Sequence, residues 1–312
     1  MKKHLFLILF IFISSMSLAQ FFDATKNWRR YRHEVTLGAG ISNYMGDLGG
    51  LDRKGVKVFL FDLEFSQFKQ SFQCTHRYNI SPKGALSQRF FYGNISGSDV
   101  LTAQPQRNNR NLSFQSKIFS YSISYEYHIL RSRPGHIYNI KGAKGTASNP
   151  LGLYIFGGIG GFYFNPKADY NGTLVELRPL GTEGQGIPGN PPKYSLLSIS
   201  APTGIGATLR LPFNLKFGAE FSYYFTLTDY LDDVSGFYFD NDLILEYNGE
   251  VAAALADRSD GSNPGWTTTG AIRGNPKNKD AYLGLIFSLT YTFKTKNIAP
   301  QRPEKHPFLR RK

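Results

Sequence analysis

The sequence predicts an eight-stranded antiparallel transmembrane β-barrel with long extracellular loops, preceded by a cleaved signal peptide. Three observations support this fold class: an export signal, segments in which apolar and polar residues alternate, and no later apolar run of 18 or more residues. An exported chain without such a run can stay in a membrane only as a closed sheet. The 312 residues are 15% aromatic and include 32 Gly, yet their mean hydropathy is −0.30, as expected for a barrel that is apolar outside and polar inside.

The N-terminus reads as a secretory signal. Lys2 and Lys3 precede an apolar run over residues 5–13, and small residues end the segment at Ala19. That run is too short to cross roughly 30 Å of hydrocarbon as a helix. We therefore expect three parts: a signal peptide over 1–19, a barrel over 20–295 and a basic periplasmic tail over 296–312. Cys74 is the one cysteine, so no internal disulfide can form.

The strands are predicted from a period of two. In residues 119–129, aromatic and aliphatic side chains occupy every odd position, and Ser, Glu and His occupy the even ones. This alternation is typical of a strand whose two faces meet different surroundings. One face would touch lipid and the other would face the barrel interior. Eight such segments are present: 35–41, 68–80, 85–93, 119–129, 151–164, 196–209, 215–227 and 283–293.

The connections alternate between short and long. Short turns at 81–84 and 210–213 are predicted on the periplasmic side, and long joins are predicted outside, as is usual for such barrels. The long joins cover roughly residues 45–67, 94–111, 165–194 and 229–280. The long basic segment 131–150 is an exception, because parity places it on the periplasmic side. Either it has a partner there, or the strand count is wrong by two.

The interior of an eight-stranded barrel is just wide enough to be filled by its own side chains. We therefore expect a closed plug in which opposite charges pair, and no diffusion channel. Lys69 and Lys216 belong to the expected inward set. The candidate interior network consists of Glu34, Arg77, Arg89, Glu126, His128 and Glu220.

Enzymatic and metal chemistry are poorly supported. The chain has no GxSxG or HExxH motif. Ser124, Glu126 and His128 form the best catalytic candidate, but residues two apart on a strand stack along one face instead of converging on a substrate. We predict no enzyme activity, no cofactor and no metal site. The acidic loop residues fit no regular Ca²⁺ loop and are interpreted as solvated turns: Asp229, Asp232, Asp233, Asp240, Asp242, Asp257 and Asp260.

Basic residues concentrate on the predicted periplasmic side. The chain carries a net charge of +13, and its basic tail, the segment 131–150 and Arg29, Arg30 and Arg32 before the first strand all belong to that side by parity. Two explanations remain open: contact with lipid headgroups, or docking of an acidic protein partner. Nucleic acid is not expected, because export separates this charge from the genome. The candidate partner-binding residues are Arg131, Arg133, Lys141, Lys144, Arg302, Lys305, Arg310, Arg311 and Lys312.

Several longer motifs resemble a known family. They are NWRRYRHEV (27–35), NYMGDLGG (43–50), RNLSF (110–114), FGGIGGFYFNPKA (156–168), LRPLGTEGQG (177–186), TDYLDDVSGFY (228–238), LADR (255–258) and RGNP (273–276). In this order they are similar to motifs of the PorG-type outer-membrane proteins of the type IX secretion system of Bacteroidota. The resemblance implies an integral outer-membrane barrel without enzyme activity. It also implies association with a periplasmic ring built from a lipoprotein and its partner subunit.

From the residues and this resemblance together, we expect an integral outer-membrane component of a protein secretion machine that anchors or docks the periplasmic lipoprotein ring. Its expected partners are outer-membrane lipids and the two ring proteins. The first alternative is a barrel that binds a ligand or a host through its long external loops. An outer-membrane enzyme is the second and less favoured alternative.

Overall fold

The computed structural model describes residues 27–48, 67–102, 104–132 and 149–295, so the predicted signal peptide and basic tail lie outside it. The strands are β1 (His33–Met45), β2 (Lys69–Asn79), β3 (Gly84–Ser98), β4 (Ser113–Leu130), β5 (Leu151–Tyr170), β6 (Thr173–Glu176), β7 (Leu197–Arg210), β8 (Leu215–Thr226) and β9 (Ala281–Phe293). The helices are α1 (Pro105–Arg110), α2 (Asn241–Asn248) and α3 (Glu250–Ala256). In the described part of the chain, no helix has the length and apolar character needed to cross a bilayer.

Eight strands close into one barrel. Their order is β4-β3-β2-β1-β9-β8-β7-β5, and β4 also pairs with β5, so the sheet closes on itself. All of these pairs are antiparallel. The predicted strand count is therefore confirmed, and an error of two strands is excluded. The pairing of β4 with β5 also places both ends of the segment 131–150 at the same end of the barrel as the two short turns.

The walls show the predicted division between faces. On β4, Phe119 is 53% exposed and Ile123 is 48% exposed, whereas Ser122 and Ser124 between and after them are 1% exposed. The same alternation is present on β3, β5 and β8. A closed cylinder with an apolar outer band satisfies every backbone group internally, as a lipid environment demands. The chain is thus an integral outer-membrane β-barrel with its long loops at the extracellular end.

The barrel is taller than the alternation predicted. At the extracellular end, β3 continues to Ser98, β4 begins at Ser113 and β5 runs to Tyr170. Beyond this point, β6 folds back onto β5 as a hairpin that was not predicted. Its turn is Asn171-Gly172, in which both residues have positive φ, 52° and 82°. An Asn-Gly pair suits such a turn, because both residues tolerate that conformation.

The barrel interior has two layers: a lower one toward the periplasmic end and an upper one toward the extracellular end. The sequence predicted a polar interior, and only the lower layer is polar. Near the extracellular end, four inward aromatic rings pack against one another. Tyr224 and Tyr282 stack with ring centroids 4.4 Å apart, and Phe91 and Phe162 contact the pair. The upper layer is apolar because it belongs to the same hydrophobic cluster as loop residues such as Leu231. This layer therefore joins the barrel to the packed extracellular loops.

Candidate functional site

An alternating chain of charges fills the lower half of the barrel. Its members come from five strands and occur in the order Lys216, Glu34, Arg77, Glu126, Arg89 and Glu220. The Lys216 Nζ to Glu34 Oε1 distance is 2.7 Å, Arg77 Nη1 lies 3.1 Å from Glu34 Oε2, and Arg77 also pairs with Glu126. Arg89 then bridges Glu126 at 3.0 Å and Glu220 at 3.2 Å. Three cations thus balance three carboxylates, and we call this chain the ionic plug.

Neutral groups add hydrogen bonds and ring contacts to the ionic plug. The Tyr154 hydroxyl donates to Glu220 Oε2 at 2.6 Å, and Gln73 Nε2 donates to Glu220 Oε1 at 2.9 Å. The guanidinium of Arg89 lies 3.8 Å from the centroid of the Phe156 ring. Gly206 provides room for the Tyr154 ring, since a Cβ there would collide with that ring. A buried charge is tolerated when it is paired and hydrogen-bonded in this way.

Five of the six candidate interior residues are thus joined in one network, and His128 lies beside it. His128 is 9% exposed, and its ring contacts Tyr154 with a centroid separation of 5.6 Å. In the described part of the chain, His128 Nε2 and the Ser124 hydroxyl have no hydrogen-bond partner. The Glu126 carboxylate binds two guanidiniums instead. Lys69 lies at the extracellular start of β2, away from the plug.

Only one candidate partner-binding residue lies within the described residues. Arg131 follows β4 directly, and its Nη1 donates to the carbonyl oxygens of Ser81 at 3.1 Å and Pro82 at 2.7 Å. This contact holds the start of the basic segment against the β2–β3 turn. The remaining candidates are outside the described residues: Arg133, Lys141, Lys144, Arg302, Lys305, Arg310, Arg311 and Lys312.

The extracellular loops pack into an ordered cap, which we define as residues 46–48, 99–112, 171–196 and 227–280 within the described part of the chain. Arg110 is its main junction. The guanidinium makes two bonds with the Asp99 carboxylate, at 2.7 and 2.8 Å. It also donates to the carbonyl oxygens of Asp47, at 2.9 Å, and Arg273. One buried side chain therefore ties three of the four long loops together.

A second junction joins the remaining loop. The Glu183 carboxylate accepts from Arg273 Nη1 at 3.0 Å and from the backbone N–H groups of Ser235 and Gly236. Arg273 also donates to the Asp233 carbonyl oxygen at 2.7 Å. The motifs that carry the family resemblance thus meet in space, because Asp47, Arg110, Glu183, Ser235 and Arg273 each come from a different one.

The prediction that the acidic loop residues are solvated turns is wrong for three of them. Asp229, Asp232 and Asp233 are not solvated turns, since they are only 1–3% exposed. The Tyr44 hydroxyl lies 2.6 Å from Asp232 Oδ2 and 2.7 Å from Asp280 Oδ1. A phenol has one proton, so it donates to one carboxylate while the other must be protonated to donate in return. Burial raises the pKa of both Asp232 and Asp280 well above their ordinary value, which favours that shared proton.

We expect the cap to be better protected in mildly acidic solution than at pH 7.5. Burial raises the pKa of Asp229 and Asp233 to about 6, so the folded cap binds protons more readily than the unfolded loops. The stability that these protons confer is fully present below about pH 4, the pKa of an aspartate in the unfolded chain. It declines as the pH rises from there through about 6, the pKa of both groups in the folded cap. Amide hydrogen exchange of residues 229–238 at pH 5.5 and 7.5, corrected for intrinsic rates, measures the difference. The substitution Asp233→Asn should reduce this difference, and greater protection at pH 7.5 would contradict the assignment.

In the described part of the chain, no group of three or more His, Cys, Asp or Glu side chains could hold a metal ion. Sequence reasoning missed the cap itself and the Tyr44 site. The motif 228–238 contained one signal that its loop is packed. Leu231 and Val234 flank Asp232 and Asp233, and a fully solvated loop would not be expected to hold two aliphatic residues at this spacing. Both are 1% exposed or less in the cap.

The family model described as "Domain of unknown function (DUF6089)" matches residues 3–174, and no curated protein matches the chain. Among solved structures, the chain is similar to Ail, the attachment invasion locus protein of Yersinia pestis, with 9% identity, a TM-score of 0.37, and coverage of 85% of this chain and 99% of that one. Neisserial surface protein A is similar with 10% identity, a TM-score of 0.37, and coverage of 84% of this chain and 97% of that one. A major outer membrane protein from Thermus thermophilus is similar with 12% identity, a TM-score of 0.35, and coverage of 84% of this chain and 99% of that one. Because the family model spans more than half of the 312 residues, the chain belongs to the DUF6089 family.

Proposed function

We propose that this chain is a non-enzymatic outer-membrane component of a type IX protein secretion machine, where it docks a periplasmic lipoprotein ring. The supporting observation is the position of its basic segments. The pairing of His33 with Phe293 brings both ends of the described barrel to the end with the short turns, and the β4–β5 pairing brings both ends of the segment 131–150 there too. The points at which three basic segments join the barrel therefore share one end.

The filled interior also supports a role for the ends of the barrel. The ionic plug occupies its lower half and the aromatic layer occupies its upper half. A ring held beneath the membrane would meet the basic end first. Complementary charge there would steer an acidic surface of the ring and fix its register.

Charge reversal tests this docking proposal. We expect that Arg310→Glu with Arg311→Glu and Lys312→Glu, or Arg131→Glu with Arg133→Glu, reduces co-purification of the ring proteins roughly tenfold, because like charges would face each other. Recovery is measured by mass spectrometry after pull-down from solubilised outer membrane.

The matched control is Lys277→Glu with Lys279→Glu, which places new negative charge at the extracellular end and should leave recovery unchanged. The tail variant leaves every described contact in place, whereas Arg131 also binds the β2–β3 turn. Full recovery in both test variants would contradict docking at this end.

A second candidate function is binding of a ligand by the extracellular loops. The observation that favours it is the packed cap, in which Arg110 and Glu183 hold distant loops in one arrangement. Loops fixed in this way can form a site whose geometry exists before a ligand arrives.

A further inference from the structure

The outer face of the cap contains a pocket of about 380 Å³. This volume lies within the range of about 300–1,000 Å³ that is usual for small-molecule sites, near its lower end. Three of the long loops contribute to it: the first through Asp47, the second through Gln104, Arg107 and Arg110, and the fourth through Tyr238, residues 265–266 and residues 271–275. The pocket is thus a product of the cap and does not exist in any single loop.

Two buried donors in the pocket wall have no acceptor. Tyr238 is 4% exposed and Arg273 is 3% exposed, and both line the pocket. Neither the Tyr238 hydroxyl nor Arg273 Nε has a hydrogen-bond partner in the described part of the chain. Burial raises the pKa of Tyr238 to about 12, so its hydroxyl keeps its proton at neutral pH. Buried donors without acceptors are costly, and both atoms lie just beneath the accessible surface, so a ligand oxygen that meets them after a small movement of the wall side chains gains binding energy.

The other lining groups define the chemistry of such a ligand. Three arginines, Arg107, Arg110 and Arg273, line the pocket together with one acidic residue, Asp47. The carboxylates that pair with Arg110 and Arg273, those of Asp99 and Glu183, are not among the lining residues. A carboxylate is the acceptor that guanidinium donors match best.

The rim adds a second requirement. Trp266, which is partly buried, and Ile272, which is 73% exposed, also line the pocket. An indole face can stack against the flat apolar side of a sugar ring, and amide groups such as that of Gln104 can bond ring hydroxyls. A small ligand with a carboxylate at one end and hydroxyls around a ring satisfies both the wall and the rim.

We propose that this pocket binds a sugar acid of the hexuronate class, either alone or as the terminal residue of an acidic glycan. The carboxylate lies toward Arg273 and the Tyr238 hydroxyl, and the sugar ring stacks on Trp266. This proposal rests on the second candidate function, binding by the extracellular loops. It is independent of docking at the basic end.

Intrinsic fluorescence tests the proposal, because the chain has only two tryptophans, Trp28 and Trp266. In a Trp28→Phe variant of the purified full-length barrel in detergent, Trp266 is the sole indole. We expect D-glucuronate to change its emission saturably. D-glucose, which lacks the carboxylate, and acetate, which lacks the sugar ring, should bind roughly tenfold more weakly or not at all.

Matched tyrosine variants identify the site. Tyr238→Phe removes only the wall hydroxyl and should weaken glucuronate binding roughly fivefold, the effect of about one hydrogen bond. Tyr247→Phe is the control, since Tyr247 lies on α2, is 54% exposed and does not line the pocket. Amide exchange of the cap in each variant verifies folding.

Four results would overturn the proposal: no saturable response to glucuronate, equal binding of acetate (an adventitious anion only), equal binding of glucose, or an unchanged affinity in Tyr238→Phe. Pull-down of the ring proteins by the same Tyr238→Phe variant should stay normal. A failure of glucuronate binding is therefore distinguishable from a failure of the docking proposal.

Discussion

Glu126→Gln should destabilise the barrel by about 3–5 kcal/mol, the loss expected when one partner of a buried ion pair is removed. Glu126 is fully buried between Arg77 and Arg89, which are 2% and 0% exposed. A neutral amide at this position leaves the guanidiniums of Arg77 and Arg89 without the negative charge that both of them bind. Urea unfolding of the barrel in lipid vesicles, followed by fluorescence and by the gel shift of the folded form, measures the change.

Glu176→Gln provides the matched control for this substitution. Glu176 pairs with Lys167 at 2.8 Å, but its side chain is 47% exposed and the pair lies on the β5–β6 hairpin. A solvent-exposed pair of this kind contributes about 0–1 kcal/mol. Equal effects of the two substitutions would mean that the interior carboxylate is hydrated, and this would contradict a plug of paired charges.

Arg110→Met should release the extracellular cap while leaving the barrel folded. The substitution removes the bidentate bond to Asp99 and the donors to the carbonyl oxygens of Asp47 and Arg273. Asp99 is 0% exposed, so its carboxylate would remain buried without its cation. We expect about 3–5 kcal/mol less stability for the cap. Limited proteolysis and amide exchange should then show cleavage and loss of protection in residues 229–280.

Arg258→Met is the control within the same cap. Arg258 Nη1 donates one bond to the neutral Ser113 hydroxyl at 3.0 Å, so its loss should cost only about 1 kcal/mol. Strong local protection in Arg110→Met, equal to that of Arg258→Met, would show that the loops do not depend on this junction. The pocket lined by Arg110 should lose its shape together with the cap.

The barrel was largely predictable because lipid on one side and a packed interior on the other impose the same period of two on every strand. Residues 119–129 carry this pattern without interruption and face as predicted. The hairpin of β5 and β6 was missed although Asn171-Gly172 is a strong local turn signal. It lies beyond the lipid-facing band, where the outer face no longer needs to be apolar.

The partners within the plug and the cap were not predictable from local sequence. Arg89 and Glu220 are 131 positions apart, and Arg110 and Arg273 are 163 apart. Strand tilt and stagger decide which inward side chains meet, and no periodicity in the sequence encodes them. The acids at 229, 232 and 233 were misassigned for the same reason, because their burial depends on loops from elsewhere in the chain.

Cysteine scanning along β4 tests the membrane barrel most directly. In a Cys74→Ala background, each residue of 119–129 is replaced in turn by cysteine, spin-labelled and reconstituted into lipid vesicles. Oxygen, which partitions into lipid, should reach the odd-numbered positions, and a water-soluble nickel complex should not, so that oxygen accessibility oscillates with a period of two. A flat profile, or odd-numbered positions open to the nickel complex, would contradict a closed sheet with lipid on its outer face.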